Sequence, residues 1–371
     1  MKQLIINFKA RKLEDFEKLA SQAAEIGATH IQVGPFPLSW WHLDGHDDRY
    51  PFWITRPATA FKLFVPPALA EWLPTEYARA NMEILQRQGD MLRRLGLKGY
   101  LLLNDPMYLP EGVYQAHPEW RGPQCELPYL TDRPYWAPCV DNAEVLDLYR
   151  QALTEICKAA PIDLLVSSCN DAGSGICWDR TYPGPNGNAA CAHRMLWDRL
   201  NGFMDALADG AREAGAEVSI NLLGTTSSHA EFNATLTHIK SNYAIRDKSP
   251  DGRPWVAGAS QGGPWRDHAW PVVGIEQPVQ FIEELERGFG GDSPRVSAGM
   301  SPELRDFGLE VLSSFRDSPT SGPVSRMNFL LGLAESKGGK DDAEDLVQCW
   351  LDIVRAMCLL EDVVVAGFGY L

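Results

Sequence analysis

The chain has 371 residues, 45% of them hydrophobic and 22% charged, the make-up of a soluble globular protein long enough to bury a full core. Its formal charge of -15 and pI near 5.0 argue against nucleic acid or an anionic membrane surface as the main partner, because a phosphate backbone calls for a basic stripe. No apolar run approaches the ~20 residues of a membrane span, and the opening MKQLIINFKARKLEDF meets charge too soon for a signal-peptide core, so a cytoplasmic location is expected.

Strand-like runs then alternate with amphipathic helical runs, the pattern of a parallel sheet wrapped by helices. Residues 4–8 read as the first strand, and 13–26 as a helix with Leu19, Ala23 and Ile26 on one face and Gly27 as its stop. The second strand is 29–33. After it comes an irregular segment, 34–73, holding Trp40, Trp41, His42, Asp44, His46, Asp47, Trp53 and Trp72, and a loop of that length is uncommon unless functional. A helix over 77–95 is closed by Gly96, and 98–103 is the third strand, ending in Asn104-Asp105-Pro106. A second excursion, 107–138, carries Tyr108, His117, Trp120, Tyr129, Tyr135 and Trp136.

The stretch 163–188, DLLVSSCNDAGSGICWDRTYPGPNGN, is the centre of the chain. It opens as the continuous apolar run of a strand buried on both faces, the fourth, and gives way to Asn170-Asp171 and then to small flexible residues that leave the carboxylate on a loop. The loop goes on through Trp178 and Tyr182 among prolines and glycines, a mixture suited to the lip of a sugar-sized pocket. A helix over 145–159 precedes this strand; a helix over 195–214 and a strand over 217–222 follow it. Weaker strands are expected over 235–243 and 255–260, and a better one over 272–275, followed by Glu276. From about residue 283 the texture turns to helices over 302–315, 324–334 and 343–360. The expected architecture is a TIM (β/α)8 barrel with long aromatic βα loops over 1–280 and a helical extension over 281–371 packed on it.

In such a barrel the active site lies at the C-terminal ends of the strands. Three expected strand ends carry a carboxylate: Asp105, Asp171 and Glu276. Convergent carboxylates are what glycosidic cleavage requires, one protonating the leaving oxygen while a second group attacks or stabilises the cationic sugar carbon. Asp171 is the candidate acid, although an Asp before small residues also caps turns. Asp105 and Asn104 are read as substrate contacts, and Glu276 as the second catalytic group or a surface ion-pair partner. Sugar C–H faces stack on aromatic rings while hydroxyls seek Asp, Asn and His, which brings in Trp41, His46, Tyr108, Trp120, Trp178 and Trp265. Lys240 and Asn242 alternate on an expected strand and so share a face. A lysine there would form a Schiff base or, more ordinarily, an ion pair.

Asn170-Asp171 after the fourth strand, with Glu276 after a later one, resembles barrel glycoside hydrolases in which an Asn-Glu pair after strand four gives the acid/base and a Glu after strand seven the nucleophile. This chain has the shorter Asp, and its Asn104-Asp105-Pro106 is similar to that clan's Asn-Glu-Pro one strand early. The closing helices look more like the hexosaminidase-like and α-glucuronidase-like barrels. That likeness implies Asp171 as acid, Asn170 positioning the sugar's 2-substituent, and no nucleophile role for Glu276.

The reading is a glycoside hydrolase with a carbohydrate substrate, no nucleic-acid or membrane partner and a homo-oligomer left open. Two alternatives stand beside it: a barrel lyase, isomerase or aldolase using Lys240 or a metal held by Asp105, Asp171 and Glu276, and a barrel that only binds carbohydrate. No dinucleotide, P-loop or zincin motif is present, so no cofactor or metal is expected. Of the eight cysteines, Cys157, Cys349 and Cys358 fall in helical patterns; Cys125, Cys139, Cys177 and Cys191 lie in loops without a CxxC pair, read as free thiols ahead of one structural zinc site or one disulfide.

Overall fold

The computed structural model describes residues 2–8, 12–34, 36, 58–107, 109–124, 136–168, 175–179, 184–185, 189–224, 228–260, 276–300 and 304–368. The strands of the main sheet are β1 (Gln3–Phe8), β2 (His30–Gln32), β3 (Lys98–Leu103), β4 (Ile162–Ser168), β5 (Ser219–Leu223), β6 (Tyr243–Ile245), β7 (Ala257–Ser260) and β8 (Arg295–Met300), beside two short antiparallel ribbons, Arg121–Gln124 with Trp136–Pro138 and Trp178–Asp179 with Gly184–Pro185. The main helices are α1 (Leu13–Glu25), α2 (Thr75–Leu95), α3 (Ala143–Ala159), α4 (Leu196–Glu213), α5 (His229–Leu236), α6 (Pro278–Gly290), α7 (Arg305–Asp317), α8 (Pro323–Gly338) and α9 (Ala343–Phe368). These eight parallel strands and the helices between them make an α/β fold of the TIM-barrel type.

The chain divides into two compact units, one of residues 10–20 and 30–255, the other of 1–9, 21–29 and 256–371. In the first, β2 to β6 pair in chain order, each parallel to the next. The apolar content of these strands explains their place: Leu164, Leu165 and Val166 of β4 are all buried, as a strand covered on both faces demands. The intervening helices start and stop where local chemistry dictates. Asn142 caps α3 by accepting from the backbone N–H of Glu144 at 2.9 Å and of Val145 at 3.2 Å, and Gly96 ends α2 in the left-handed conformation at φ 69°. Helix α3 then turns Val145, Leu148, Ala152, Leu153 and Ile156 into the core, and α4 lies so close to it that a Cβ on Gly210 would collide with the Arg150 carbonyl oxygen.

In the second unit β8 pairs in parallel with both β1 and β7. Helix α9 buries Ala343, Val347 and Trp350 along one stripe, the amphipathic pattern its sequence shows.

Two expectations change. Residues 235–243 are not a strand: α5 occupies 229–236, with the Ser228 hydroxyl capping it through the Glu231 N–H at 3.1 Å, and only Tyr243–Ile245 pair as β6. The barrel strands also continue past residue 280, because β8 (RVSAGM) lies at 295–300, paired with β1 on one side and β7 on the other; with Ser, Ala and Gly in place of bulky β-formers its sequence carries little strand signal. The strand expected over 272–275 lies outside the described residues.

Candidate functional site

Strand register sorts the site residues. Across β3, β4, β5 and β6 the row Leu103, Ser167, Leu222 and Ile245 alternates with the row Leu102, Val166, Asn221 and Ala244. Register-matched residues of parallel neighbours share a face, and successive residues alternate. The first face is turned to the helices: Tyr243, which lies on it, donates its hydroxyl to Asp205 of α4 at 2.8 Å. Asn221 therefore points to the opposite, inward face.

On that inward face Asn221, fully buried in the middle of the apolar SINLL strand, meets Asp247, two residues beyond β6. The Asn221 amide donates to the Asp247 carboxylate at 2.6 Å, and the Asp247 backbone N–H donates back to the Asn221 side-chain oxygen at 3.2 Å. The Trp255 backbone N–H donates to the Asp247 carbonyl at 2.8 Å, and its indole N–H to Ser219 Oγ at 3.0 Å. Arg246 and Asp247 stand at φ 47° and 60°, left-handed backbone that non-glycine residues seldom adopt and that collects at functional sites. Asp247 is exposed as a residue, yet enough protein surrounds its carboxylate for desolvation to raise its pKa, an effect that the Asn221 amide partly offsets. The same carboxylate adds to burial in raising the pKa of Tyr100, on β3. Asn104, at the end of β3, is half-buried and donates to the Ser168 carbonyl at 3.4 Å. The ends of β3 and β4 thus pair Asn104 with Ser168, and β5 and the end of β6 pair Asn221 with Asp247.

Asp105 lies on the face opposite the inward row. It faces the helices, is 1% exposed, accepts from the Ala60 N–H at 2.7 Å, and exchanges hydrogen bonds through its backbone with Ser167 Oγ at 2.7 and 3.2 Å. Burial raises its pKa to about 7 against the pull of the Ala60 N–H, Lys62 and Tyr149, and burial lowers Lys62 to about 7 against the pull of Asp105.

Lys240 and Asn242 precede β6, at the strand end opposite the one an active site uses. Lys240 is exposed and held by both oxygens of Asp205 at 2.6 and 2.9 Å, a surface ion pair. Glu276 does not end a described strand; it enters α6 and bonds Lys337 of α8 at 3.2 Å. Trp120 is buried, stacked on His117 with ring centroids 3.9 Å apart and bonded to Glu144 at 2.7 Å, so it is a core aromatic. Trp178 is half-buried, its indole donating to Glu231 with the Arg199 guanidinium 5.8 Å from its ring centroid. Trp41, His46, Tyr108, Asn170, Asp171 and Trp265 lie outside the described residues. A cavity of about 810 Å³ between α2, α3 and residues 63–65 is lined by helix residues such as Arg79 and Glu83 and holds none of the site residues.

Asn221 and Asp247 went unrecognised in the sequence. The available signal was a lone Asn inside an otherwise apolar strand, a residue that is buried only when its amide has partners.

Among solved structures the chain is similar to glycoside hydrolases. These include a GH138 enzyme targeting pectin rhamnogalacturonan II (TM-score 0.48, 10% identity, 93% of this chain and 52% of that one). The GH36 α-galactosidase AgaA from Geobacillus stearothermophilus gives 0.47 and 12%, over 85% and 42%. A GH20 catalytic module of the pneumococcal exo-β-D-N-acetylglucosaminidase StrH gives 0.42 and 11%, over 94% and 97%. The chain spans about half the length of the first of these and less of the second. No protein-family model and no curated protein matches it. The barrel assignment rests on the chain's own strand pairing. Among the described residues no helix is long and apolar enough to cross a membrane.

Proposed function

We propose that this protein is a glycoside hydrolase in which Asp171 is the general acid and Asp247 the second carboxylate. The observation that carries the reading is Asp247 at a barrel strand end, fixed by Asn221 in left-handed backbone on the inward face. A carboxylate held at one oxygen by an amide presents the other to a ligand, and preorganised charge of this kind suits the cationic sugar carbon of a glycosidic transition state. Asp171 lies three residues past β4, and β4 is separated from β6 by β5 alone. In this reading the two carboxylates belong to strand ends with one strand between them, the acid to protonate the leaving oxygen and Asp247 to attack or stabilise the carbon. Asn170 orients the substrate, and Asn104 supplies a hydroxyl contact from β3. Asp247 fills the second catalytic role here, while the Glu276 carboxylate pairs with Lys337.

The test is turnover of a panel of aryl glycosides and uronides by wild type, Asp171→Ala and Asp247→Asn. Cleavage of one glycoside by wild type, with either variant slower by roughly a hundredfold or more, supports the assignment. Tight glycan binding with no turnover by wild type would replace it with the carbohydrate-binding reading.

A further inference from the structure

Three cysteine thiols from separate loops meet beside the strand ends. Cys139 precedes α3, Cys177 lies in the loop after β4, and Cys191 lies just before α4. All three are buried, at 2%, 0% and 5% exposure. The Cys139 sulfur is 3.7 Å from that of Cys177 and 3.8 Å from that of Cys191, and all three sulfurs lie within 4.8 Å of one another.

Those separations choose between the chemistries open to clustered thiols. A disulfide needs sulfurs about 2.0 Å apart. Tetrahedral zinc, with Zn–S bonds of about 2.3 Å, sets its sulfurs about 3.8 Å apart. Two further features fit a bound ion better than a packing contact. Cys177 stands at φ 57°, a left-handed conformation that costs a residue with a side chain free energy and that here turns its thiol toward the other two. The guanidinium of Arg199, completely buried, donates to the carbonyls of Cys177 and Cys191 and approaches the Cys191 sulfur at 3.9 Å. One zinc with three thiolates carries a net charge of -1, which a buried site must balance, and Arg199 stands where it does so. Asp141, at 3.3 Å from Arg199, is shared with Arg194 at 3.1 Å, so the local charge is spread over two arginines.

We propose that Cys139, Cys177 and Cys191 bind one zinc ion as thiolates, forming a structural site that ties the loops after β3 and β4 to the start of α4. On binding, each thiol releases its proton to solvent and donates a sulfur electron pair to Zn²⁺. The fourth position is left for one further donor, water included. The ion would brace the described loop residues around Cys139, Cys177 and Cys191, so its role is structural. The sequence hides the site because no two of these cysteines form a CxxC pair.

The test needs no turnover. The full chain, reduced and stripped of metal with chelator, is titrated with Co²⁺. The site predicts strong sulfur-to-cobalt charge-transfer absorption that saturates at about one cobalt per chain and bleaches on adding an equivalent of Zn²⁺. The protein as isolated should also carry about one zinc by elemental mass spectrometry. Cys177→Ser and Cys191→Ser should lose the absorption, and Cys349→Ser, at an exposed cysteine of α9, should keep it. Wild type requires no variant to fold, so a reduced wild-type chain without the charge-transfer band overturns the proposal. So does a band that survives all three of Cys139→Ser, Cys177→Ser and Cys191→Ser, or a disulfide between two of these cysteines in the isolated protein.

Discussion

The side chain of Asn221 and the carboxylate and backbone N–H of Asp247 form a reciprocal pair, 2.6 Å in one direction and 3.2 Å in the other. Asn221 has no solvent to fall back on, so the pair fixes how the β5 and β6 ends sit together as well as the direction of the carboxylate. Asn221→Ala should lower stability by about 1–3 kcal/mol, the cost of a buried hydrogen-bonding group left without its partner. It should also reduce kcat more than it raises KM, because it unfixes a catalytic group and removes no substrate contact. Thermal unfolding and steady-state kinetics read the two effects separately. An unchanged kcat at normal stability would mean that Asp247 does not need this orientation.

The pH profile follows from the sign of the Asp247 shift. A carboxylate that must be ionised gives a rate that rises with pH through its pKa, and desolvation has raised that pKa. The acid limb of kcat/KM should therefore lie above the range of a solvated aspartate. Asn221→Ala removes the donor that holds the pKa down, so the limb should move to still higher pH. A limb left where it was by that substitution would assign it to another group.

Asp105 and Lys62 make a stability prediction instead of an activity one. A folded-state pKa of about 7 for Asp105 lies above its unfolded value, so its contribution is full below the unfolded pKa and is lost as pH rises toward 7. Lys62 has the opposite shift, lowered to about 7, so its term recovers as pH rises from there toward its unfolded value. In Asp105→Asn the decline between about pH 4 and 7 should vanish from a plot of Tm against pH, with kcat essentially retained because the residue faces the helices. A kcat lost in parallel with unchanged Tm would return Asp105 to the active site.

Lys240→Ala should leave turnover intact and change stability by no more than about 1 kcal/mol, the value of an exposed ion pair. Borohydride with substrate should trap no adduct at Lys240. Trapping there would favour an aldolase-type reaction over hydrolysis.

Where periodicity was long, the sequence was readable. The helix over 77–95 with Gly96 as its stop, the strand over 98–103 and the helix over 145–159 all lie within two residues of where the structure puts them. Three residues of β6 are too few to show a period of two, and the run before them reads as the strand itself, which moves Asp247 away from any expected strand end. Asp105 misled for a related reason. Alternation past the end of β3 turns Asn104 inward and Asp105 toward Ala60 and Tyr149, and which of two neighbours faces the mouth is decided by a register that the sequence does not display. The aromatics of 107–138 were equally ambiguous, since Trp120 and Tyr114 are spent on packing.

The measurement that tests the account most directly is the rate of aryl glycoside hydrolysis by Asp247→Asn beside wild type, with circular dichroism to show that both are folded. Asn keeps the size of Asp and can still accept from Asn221 through its amide oxygen, while it removes the charge and turns the second oxygen into a donor. The account predicts a folded variant with kcat/KM lower by roughly a hundredfold or more on whichever glycoside wild type cleaves. A folded Asp247→Asn protein that turns over the same glycoside at the wild-type rate would contradict it.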